Sequence, residues 1–275
     1  MKKTVGSLLG QKEAGKKISM LTCYDYTTAK LMEAAEIDTI LVGDSLGMTM
    51  LGYPDTLSVT VDDMIHHGKA VCRGVKDIFV VMDMPFMSYQ TSVYDALANA
   101  GRLIKETGAN AVKLEGGAAV CDQIRAITDA GIPVVAHIGM TPQSVNAMGG
   151  FKCQGKDVAK AQQIIDDALA VQEAGAFMVV LECIPSALAA MITKKLMIPT
   201  IGIGAGVECD GQVLVWQDMM SLNMDMKPKF VKSFAEGGEL MRNAFAEFDS
   251  QVKEGAFPGP EHGFKIDDEV MAKLK

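Results

Sequence analysis

Eight short apolar runs recur along the chain, each followed by small or polar residues and then by a segment with helical spacing. Several runs are almost continuously apolar, as expected for parallel strands that are covered on both faces. The runs are Ile18–Cys23, Thr39–Val42, Ile78–Met82, Ala111–Leu114, Pro133–Ala136, Phe177–Leu181, Pro199–Ile203 and Val213–Trp216. Eight strand–helix repeats in about 250 residues have the size and order of an α/β (β/α)8 TIM barrel.

Helix start and stop signals separate these runs. Thr60 with Asp63, and Ser92 with Asp95, have capping-box-like spacing at the start of helical segments. Glycines stand where helices should end, at Gly108, Gly131 and Gly175. A doubly wound open sheet is the main alternative, but no G-x-G-x-x-G follows the first strand. The pattern favours the barrel.

The chain contains no linker, low-complexity tract or charge block that would divide it. We therefore predict one barrel domain over residues 1–275. Residues 228–254 alternate Phe, Ala, Leu and charged residues at helical spacing, which predicts a C-terminal helical extension that packs on a neighbouring subunit. Pro258, Gly259 and Pro260 are typical of a tail, which we place at 255–275.

Composition excludes several classes of protein. The net charge of −8 argues against a nucleic-acid partner, which requires a basic face. No stretch approaches the roughly 18–20 consecutive apolar residues of a membrane span, and the N-terminus lacks the apolar core of a signal peptide. The six cysteines are scattered without a C-x-x-C pair, which favours free thiols in a reducing cytoplasm over disulfides or zinc. We expect a cytoplasmic protein with no nucleic-acid or membrane partner.

Ionisable residues stand at the ends of the predicted strands, where a (β/α)8 barrel builds its active site. A strand that is buried on both faces should not end in a carboxylate unless something compensates the charge. The polar and ionisable residues at these ends are Asp25, Asp44, Ser45, Asp83, Lys113, Glu115, His137 and Glu182. The sequence therefore predicts chemistry at this end of the barrel.

Three carboxylates follow adjacent strands and can converge on one point. Asp44, Asp83 and Glu115 come from strands 2, 3 and 4. Close carboxylates repel one another unless a cation lies among them, and an all-oxygen set favours Mg²⁺ or Mn²⁺ over Zn²⁺ or Cu²⁺. For any one of them the alternative is a helix cap or a pair with Lys or Arg. The set of three predicts a metal site.

The remaining candidates supply cationic and proton-transfer groups. Lys113 lies two residues before Glu115, so both side chains point to one face of strand 4. Lys113 can complement a substrate carboxylate or an enolate, or it can merely neutralise Glu115. His137 is a hydrogen-bond donor, a proton-transfer group or a structural core histidine. Glu182 is a candidate general base or a member of a buried ion pair. The long segment Gly139–Lys156 suggests a lid or a binding loop.

The phrases around these positions resemble the ketopantoate hydroxymethyltransferase family. The resemblance runs in order from Ile18 to His262, nearly the whole chain, and the combination of phrases is highly specific. The phrases are Leu21–Tyr26, Val42–Met48, Asp83–Met87, Val112–Gly117, His137–Gln143, Leu181–Pro185, Ile201–Gly206 and Phe257–His262. Ser58 and Cys153 depart from the residues usual in the family, and neither is a candidate ligand.

This resemblance implies a barrel of the phosphoenolpyruvate/pyruvate-handling type that assembles as a homo-oligomer, typically a decamer. It implies transfer of a hydroxymethyl group from 5,10-methylenetetrahydrofolate to 3-methyl-2-oxobutanoate, the committed step toward pantothenate and coenzyme A. The implied metal is Mg²⁺, with Mn²⁺ or another divalent ion as an alternative.

The resemblance also implies roles for the site residues. The Mg²⁺ ligands are Asp44, Asp83 and Glu115, some of them through water. The keto acid lies at Asp44, Ser45, Asp83 and Lys113. Glu182 is the proton acceptor, and by chemical argument Lys113 and His137 hold the oxyanion.

Two other functions remain open at this point. One is a related metal-dependent 2-oxo-acid lyase or phosphonomutase, which works without folate. The other is a catalytically silent barrel with an assembly role. The second is disfavoured because a silent copy has no reason to keep costly buried charges such as Asp83 and Glu115.

Overall fold

The eight apolar runs form a closed barrel of parallel strands, which confirms the predicted (β/α)8 fold. The computed structural model describes residues 2–223 and 228–274. Within these residues, neighbouring strands pair in chain order and the eighth strand closes on the first. The strands are β1 (Ile18–Thr22), β2 (Thr39–Val42), β3 (Phe79–Asp83), β4 (Ala111–Glu115), β5 (Val134–Gly139), β6 (Met178–Glu182), β7 (Thr200–Ile203) and β8 (Gly211–Leu214).

Helices alternate with these strands and cover the outside of the barrel. The capping box predicted from Thr60 and Asp63 is present, and Ser92 accepts a hydrogen bond from the Asp95 backbone N–H. The helices are α1 (Val5–Glu13), α2 (Tyr26–Ala34), α3 (Leu46–Thr49), α4 (Val61–Gly74), α5 (Val93–Thr107), α6 (Cys121–Asp129), α7 (Val145–Met148), α8 (Val158–Glu173), α9 (Ser186–Lys195), α10 (Trp216–Met219), α11 (Gly237–Glu254) and α12 (Asp268–Met271). Short 3₁₀ turns lie at Ala118–Val120, Pro142–Ser144 and Pro260–His262.

The predicted eighth strand, Val213–Trp216, is wrong at both ends, because β8 begins and ends two residues earlier. Gly211 pairs with Ile18 of β1, and a Cβ at Gly211 would lie 2.4 Å from the Ile18 carbonyl oxygen. A glycine therefore allows the close approach that starts the strand. Trp216 instead begins α10, and its backbone N–H donates to Thr22 Oγ1 at 3.2 Å.

Two hydrophobic layers follow from the period-two alternation along the strands. One set of side chains fills the barrel interior, and Leu8 of α1 joins it. The other set, which includes Val80, Val112 and Leu181, packs against the surrounding helices. The buried members of the interior cluster are Leu8, Ile18, Met20, Leu41, Phe79, Val81, Ala111, Val135, Phe177, Met178, Val180, Ile201 and Val213.

The C-terminal extension predicted over 228–254 is helical only from Gly237 onward. The segment before α11 is instead hydrogen-bonded to the C-terminal end of α10. The Phe234 N–H donates to Met219 O, and the Gly237 N–H donates to Met220 O, each at 2.8 Å. Residues 1, 224–227 and 275, which belong to the predicted single domain and tail, lie outside the described residues. No helix in the described part of the chain combines the length and apolar character that a membrane crossing requires.

Candidate active site

The interior face of the barrel changes from apolar to ionisable toward the C-terminal ends of the strands. On β4 the interior positions read Ala111, Lys113 and Glu115, and on β5 Val135 is followed by His137. Asp83 and Glu182 are the last residues of β3 and β6. Because side chains alternate along each strand, the ionisable side chains point into the barrel interior at the C-terminal ends of the strands.

Asp83 and Lys113 form a buried ion pair. They are aligned by the register of β3 and β4, and Lys113 Nζ lies 2.8 Å from Asp83 Oδ1. Asp83 Oδ2 accepts a hydrogen bond from the Asp44 backbone N–H at 3.0 Å. The closest ion-pair partner of Lys113 is therefore Asp83 and not Glu115.

His137 lies between two glutamates. Its Nδ1 lies 3.3 Å from Glu115 Oε1, and its Nε2 lies 3.2 Å from Glu182 Oε2. Lys113 Nζ is 3.3 Å from the same Nδ1. His137 Nε2 is buried and, like Asp83 Oδ1, has a charged group as its nearest polar partner. His137 therefore connects the two glutamates at the mouth of the barrel.

Burial and the mutual repulsion of carboxylates set the protonation of the site. Burial, followed by the charges of Asp83 and Glu115, raises the pKa of Asp44 well above its usual range. Burial also raises the pKa of Asp83, although Lys113 opposes it. Burial and Lys113 lower the pKa of His137, but its hydrogen bonds with Glu115 and Glu182 outweigh them and raise it to about 9. The arrangement therefore favours the protonated form of His137, and the site holds more acidic groups than cationic ones.

Gln143 connects the acidic residues and was not predicted as a site residue. It is 4% exposed, and its backbone N–H donates to Glu115 Oε2 at 2.9 Å. Its side-chain Nε2 donates to Asp44 Oδ2 at 2.8 Å and to Met84 O at 2.9 Å. Its Oε1 accepts from the Tyr89 hydroxyl at 2.7 Å. Its sequence signals were its place in the Gly139–Lys156 segment, directly after a proline, and at the end of the phrase His137–Gln143.

Replacing Gln143 with leucine should lower both stability and activity. The change removes the donor to the Asp44 carboxylate and to the Met84 carbonyl, each worth about 1–3 kcal/mol when unsatisfied, and the acceptor of the Tyr89 hydroxyl. We expect a melting temperature lower by about 5–10 °C and a reduced kcat, measured by differential scanning calorimetry and steady-state kinetics. Gln162→Leu on the exposed side of α8 is the matched control. An unchanged melting temperature and kcat would show that the hydrogen bonds of Gln143 contribute neither to stability nor to the arrangement of the site.

Ser45 lies beside Asp44 and contacts a buried tyrosine. The hydroxyls of Tyr24 and Ser45 are 2.8 Å apart. Asp25, in contrast, is the N-cap of α2 and accepts hydrogen bonds from the Thr28 N–H and hydroxyl at 2.8 and 2.7 Å. Of the polar residues at the strand ends, Asp25 is thus a helix cap, while Ser45 stays at the mouth of the barrel.

The backbone around Glu182 is tightly constrained. Gly139 has a φ of +93°, and a Cβ there would lie 2.4 Å from the Glu182 carbonyl oxygen. Cys183, the next residue along the chain, has a φ of +46°. A non-glycine residue in the left-handed region is uncommon and often marks a functional site. These two positions fix the direction in which Glu182 enters the barrel mouth.

The acidic residues fit a hydrated divalent cation, although not as a ready-made three-ligand site. Among the described residues, no group of three or more His, Cys, Asp or Glu side chains is placed to hold a metal ion together. Glu115 is engaged by Gln143 and His137, Asp83 by Lys113 and the Asp44 N–H, and Asp44 by the Gln143 side chain. Mg²⁺ commonly binds through one or two carboxylates plus water and substrate oxygens. The ligand set stays a prediction.

Comparison with known proteins identifies related sequences over the whole chain. A model of the ketopantoate hydroxymethyltransferase family matches residues 2–260. A protein of Clostridium novyi (strain NT) named 3-methyl-2-oxobutanoate hydroxymethyltransferase is 63% identical over 274 residues, and the match covers 100% of both chains. A protein of the same name from Enterococcus faecalis (strain ATCC 700802 / V583) is 61% identical with the same coverage.

Solved structures share the fold at low sequence identity. Phosphonopyruvate hydrolase has a TM-score of 0.62 and 14% identity, and the match covers 99% of this chain and 94% of that chain. A 2,3-dimethylmalate lyase of the PEP mutase/isocitrate lyase superfamily has a TM-score of 0.59 and 17% identity, covering 93% and 99%. At this level of identity the similarity supports the barrel fold and nothing finer.

Proposed function

The chain belongs to the ketopantoate hydroxymethyltransferase family, and on that premise we propose how its barrel carries out the reaction. The reaction is hydroxymethyl transfer to 3-methyl-2-oxobutanoate, which gives ketopantoate on the way to pantothenate. We propose 5,10-methylenetetrahydrofolate as the one-carbon donor. The observation that carries the mechanism is the buried set of carboxylates, lysine and histidine at the barrel mouth.

The proposed metal is Mg²⁺, held by Asp44 and Asp83, with Glu115 acting through water. Burial and the neighbouring Asp83 and Glu115 raise the pKa of Asp44 well above its usual range, and a further positive charge here would relieve this crowding of acidic groups. Phosphonopyruvate hydrolase, which shares the fold, has been solved as a complex with oxalate and Mg²⁺. When bound, the cation supplies Lewis-acid polarisation of the oxygens of the 2-oxo acid.

The keto acid is proposed to lie at Asp44, Ser45, Asp83 and Lys113. The Lys113 side chain is 5% exposed and its ammonium lies close to Asp83, so it can stabilise negative charge in a buried site. Burial lowers the pKa of Lys113, but the surrounding carboxylates outweigh this and raise it. Lys113 therefore stays charged, and together with His137 it holds the oxyanion that forms as the C3 proton leaves.

Glu182 is proposed to remove the proton from C3. Its side chain is 15% exposed, and its only ion-pair partner among the described residues is His137. His137 Nε2 lies 3.2 Å from Glu182 Oε2 and orients the carboxylate that accepts the proton. The pair of electrons left on C3 forms the new carbon–carbon bond with the methylene carbon of the folate. Both methylene–nitrogen bonds break and one water supplies the hydroxyl. The proton taken from C3 and the remaining proton of the water form the two N–H groups of tetrahydrofolate, which leaves.

The activity is tested by incubating the purified chain with 3-methyl-2-oxobutanoate, 5,10-methylenetetrahydrofolate and Mg²⁺. We expect ketopantoate by mass spectrometry, loss of product with EDTA and recovery on adding Mg²⁺. Cleavage of a 2-oxo acid, or rearrangement of a phosphonate, in the absence of folate would instead support the lyase or phosphonomutase alternative. No turnover of any of these substrates would support the silent barrel.

We propose that the chain assembles as a homo-oligomer in the cytoplasm, with a decamer as the expected size. One side of α11 presents apolar side chains at helical spacing, with Leu240 72% exposed and Phe245 65% exposed. Phe248 and Val252 continue this exposed face. A second copy of the chain is the proposed partner for it. The six cysteines are unpaired, which supports a reducing compartment.

Charged substitutions on α11 should reduce the assembly. The wild-type mass by light scattering should be ten times the 29.4 kDa of one chain. We expect Phe245→Glu with Phe248→Glu to give smaller species, because each glutamate would be buried without a partner in the interface. The matched control is Gln251→Glu with Gln162→Glu. A monomeric wild type, or an unchanged mass in the Phe variant, would contradict the proposal.

A further inference from the structure

The long segment after β5 ends beside the strand that carries Glu182, and a cysteine stands on each side of this contact. Cys153 lies in the segment and is exposed, whereas Cys183 directly follows Glu182 and is half-buried. The Gln154 N–H donates to the Cys183 carbonyl oxygen at 2.9 Å. At the start of the segment, the Met140 N–H donates to the Glu182 carbonyl oxygen, also at 2.9 Å. Both ends of the segment are therefore anchored on Glu182 and Cys183.

The hydrogen bond from Gln154 limits how far apart the backbones of the two cysteines can be. A trans peptide group is planar, so the Cys153 Cα lies on the same side as the Gln154 N–H and about 2.4 Å from its nitrogen. For a nearly straight hydrogen bond, that Cα is roughly 3.6 Å from the Cys183 carbonyl oxygen. The Cys183 Cα is ~2.4 Å beyond this oxygen, which places the two Cα atoms at most about 6 Å apart. Disulfides join Cα atoms that are about 4.4–6.8 Å apart, so this pair lies within reach of one.

The two thiols are also close enough to interact electrostatically. Burial, the charge of Glu182 and the charge of Cys153 raise the pKa of Cys183 to about 12. Cys183 is therefore a neutral thiol at physiological pH. Because the thiolate is the form that reacts with oxidants, the exposed Cys153 is the cysteine of this pair that reacts first. Gly204 has no side chain, and a Cβ there would lie 3.3 Å from Cys183 Sγ, so its absence leaves this thiol room to turn.

We propose that Cys153 and Cys183 are a redox-modification site, in which a reversible disulfide fixes the segment after β5 to the residue that follows Glu182. The oxidant is hydrogen peroxide. The Cys153 sulfur attacks one peroxide oxygen, the O–O bond breaks, and a sulfenic acid and one water form. The Cys183 sulfur then attacks the sulfenic sulfur, the S–O bond breaks, and the thiol proton leaves with the oxygen as a second water. The two thiols lose two electrons and two protons in all, and the peroxide becomes two waters.

The disulfide should slow the chemistry at Glu182. Formation of the bond draws the two sulfur atoms into covalent contact, so the backbone at Cys183 has to shift. Glu182 is the preceding residue, and Cys183 has a constrained backbone with a φ of +46°, so the shift also moves the Glu182 side chain. A displacement of about 1 Å at a catalytic group can cost on the order of a hundredfold in rate. The disulfide itself is independent of the proposed function, but its effect on the exchange of the C3 hydrogen rests on it.

The test is treatment of the purified chain with hydrogen peroxide, followed by non-reducing peptide mapping by mass spectrometry. We expect a cross-linked peptide that joins Cys153 to Cys183, and C3 exchange of 3-methyl-2-oxobutanoate that is about tenfold slower or more. Dithiothreitol should remove the cross-link and restore the exchange. Cys153→Ser should exchange at the wild-type rate and keep that rate in peroxide. Cys121→Ser on α6 is the matched control and should respond to peroxide as the wild type does.

A second variant captures the intermediate. Cys183→Ser removes the attacking thiol, so the sulfenic acid should persist on Cys153 and react with dimedone. Peroxide that oxidises Cys153 in the wild type without any cross-link to Cys183 would overturn the site. A cross-link that leaves C3 exchange unchanged, or an equal loss of exchange in Cys153→Ser, would overturn its effect on Glu182. A cross-link in a chain that shows no exchange even before peroxide would support the disulfide and count against the proposed function.

Discussion

Replacing Asp83 with alanine is expected to lower kcat about a thousandfold or more and to remove most of the response to Mg²⁺. Asp83 has one oxygen 2.8 Å from Lys113 Nζ and the other bonded to the Asp44 N–H. The substitution removes a proposed metal ligand and leaves a buried ammonium without its closest partner. The measurement is kcat over a series of Mg²⁺ concentrations, together with calorimetric titration of the metal.

Two variants separate the role of the charge from the role of the fold. Asp83→Asn keeps the shape and the hydrogen-bond acceptor but removes the charge, so it should lose metal binding as the alanine variant does. Asp25→Asn is the matched control, because Asp25 only caps α2 and asparagine is an equally good cap. Turnover and Mg²⁺ response like those of the wild type in Asp83→Ala would remove the metal proposal.

Glu182→Gln should bind the keto acid but stop the exchange of its C3 hydrogen. The amide keeps the size of the side chain and loses the basic oxygen, and general-base catalysis is worth about 10²–10⁴-fold. We expect the exchange rate to fall by about that factor. We expect Kd for 3-methyl-2-oxobutanoate to stay within about threefold, because Glu182 is not a proposed binding residue. Deuterium wash-in followed by NMR gives the exchange rate, and calorimetry gives Kd.

The control for this variant is Glu173→Gln at the exposed end of α8. It should leave both the exchange rate and the Kd unchanged. An exchange rate in Glu182→Gln equal to that of the wild type would assign the base to another group. His137 is then the first candidate, since its Nε2 already faces the same space.

Strands that are buried on both faces could be located from the sequence, because burial on both faces leaves a continuous apolar run. The bounds of β2 were predicted correctly for this reason. β8 was predicted two residues too late in the chain. Its first residues, Gly211 and Gln212, are not apolar, whereas Val215 and Trp216, which follow the strand, are. Only the close approach to Ile18 shows why the strand starts at a glycine.

The candidate site was predicted as a set of residues, but its pairing was not. Which side chains become neighbours depends on the register between strands. The spacing of residues within one strand does not reveal that register. Asp83 is aligned with Lys113, and Glu115 is aligned with His137. The lysine therefore pairs with the aspartate rather than with the glutamate two residues away on its own strand.

Gln143 shows a second limit of sequence reasoning. The segment after β5 was recognised as unusual by its length, but length does not reveal which residue turns inward. A glutamine is ordinarily an exposed residue. Its burial follows from four partners on different elements, which are Asp44, Met84, Tyr89 and Glu115.

The central claim is that the acidic mouth of this barrel enolises a 2-oxo acid and then transfers a one-carbon unit to it. Proton NMR of 3-methyl-2-oxobutanoate in D₂O tests it, first with enzyme and Mg²⁺ alone and then with 5,10-methylenetetrahydrofolate. The account predicts loss of the C3 proton signal in the first step, dependent on Mg²⁺ and on Glu182, and ketopantoate in the second. No exchange and no product under these conditions would contradict it.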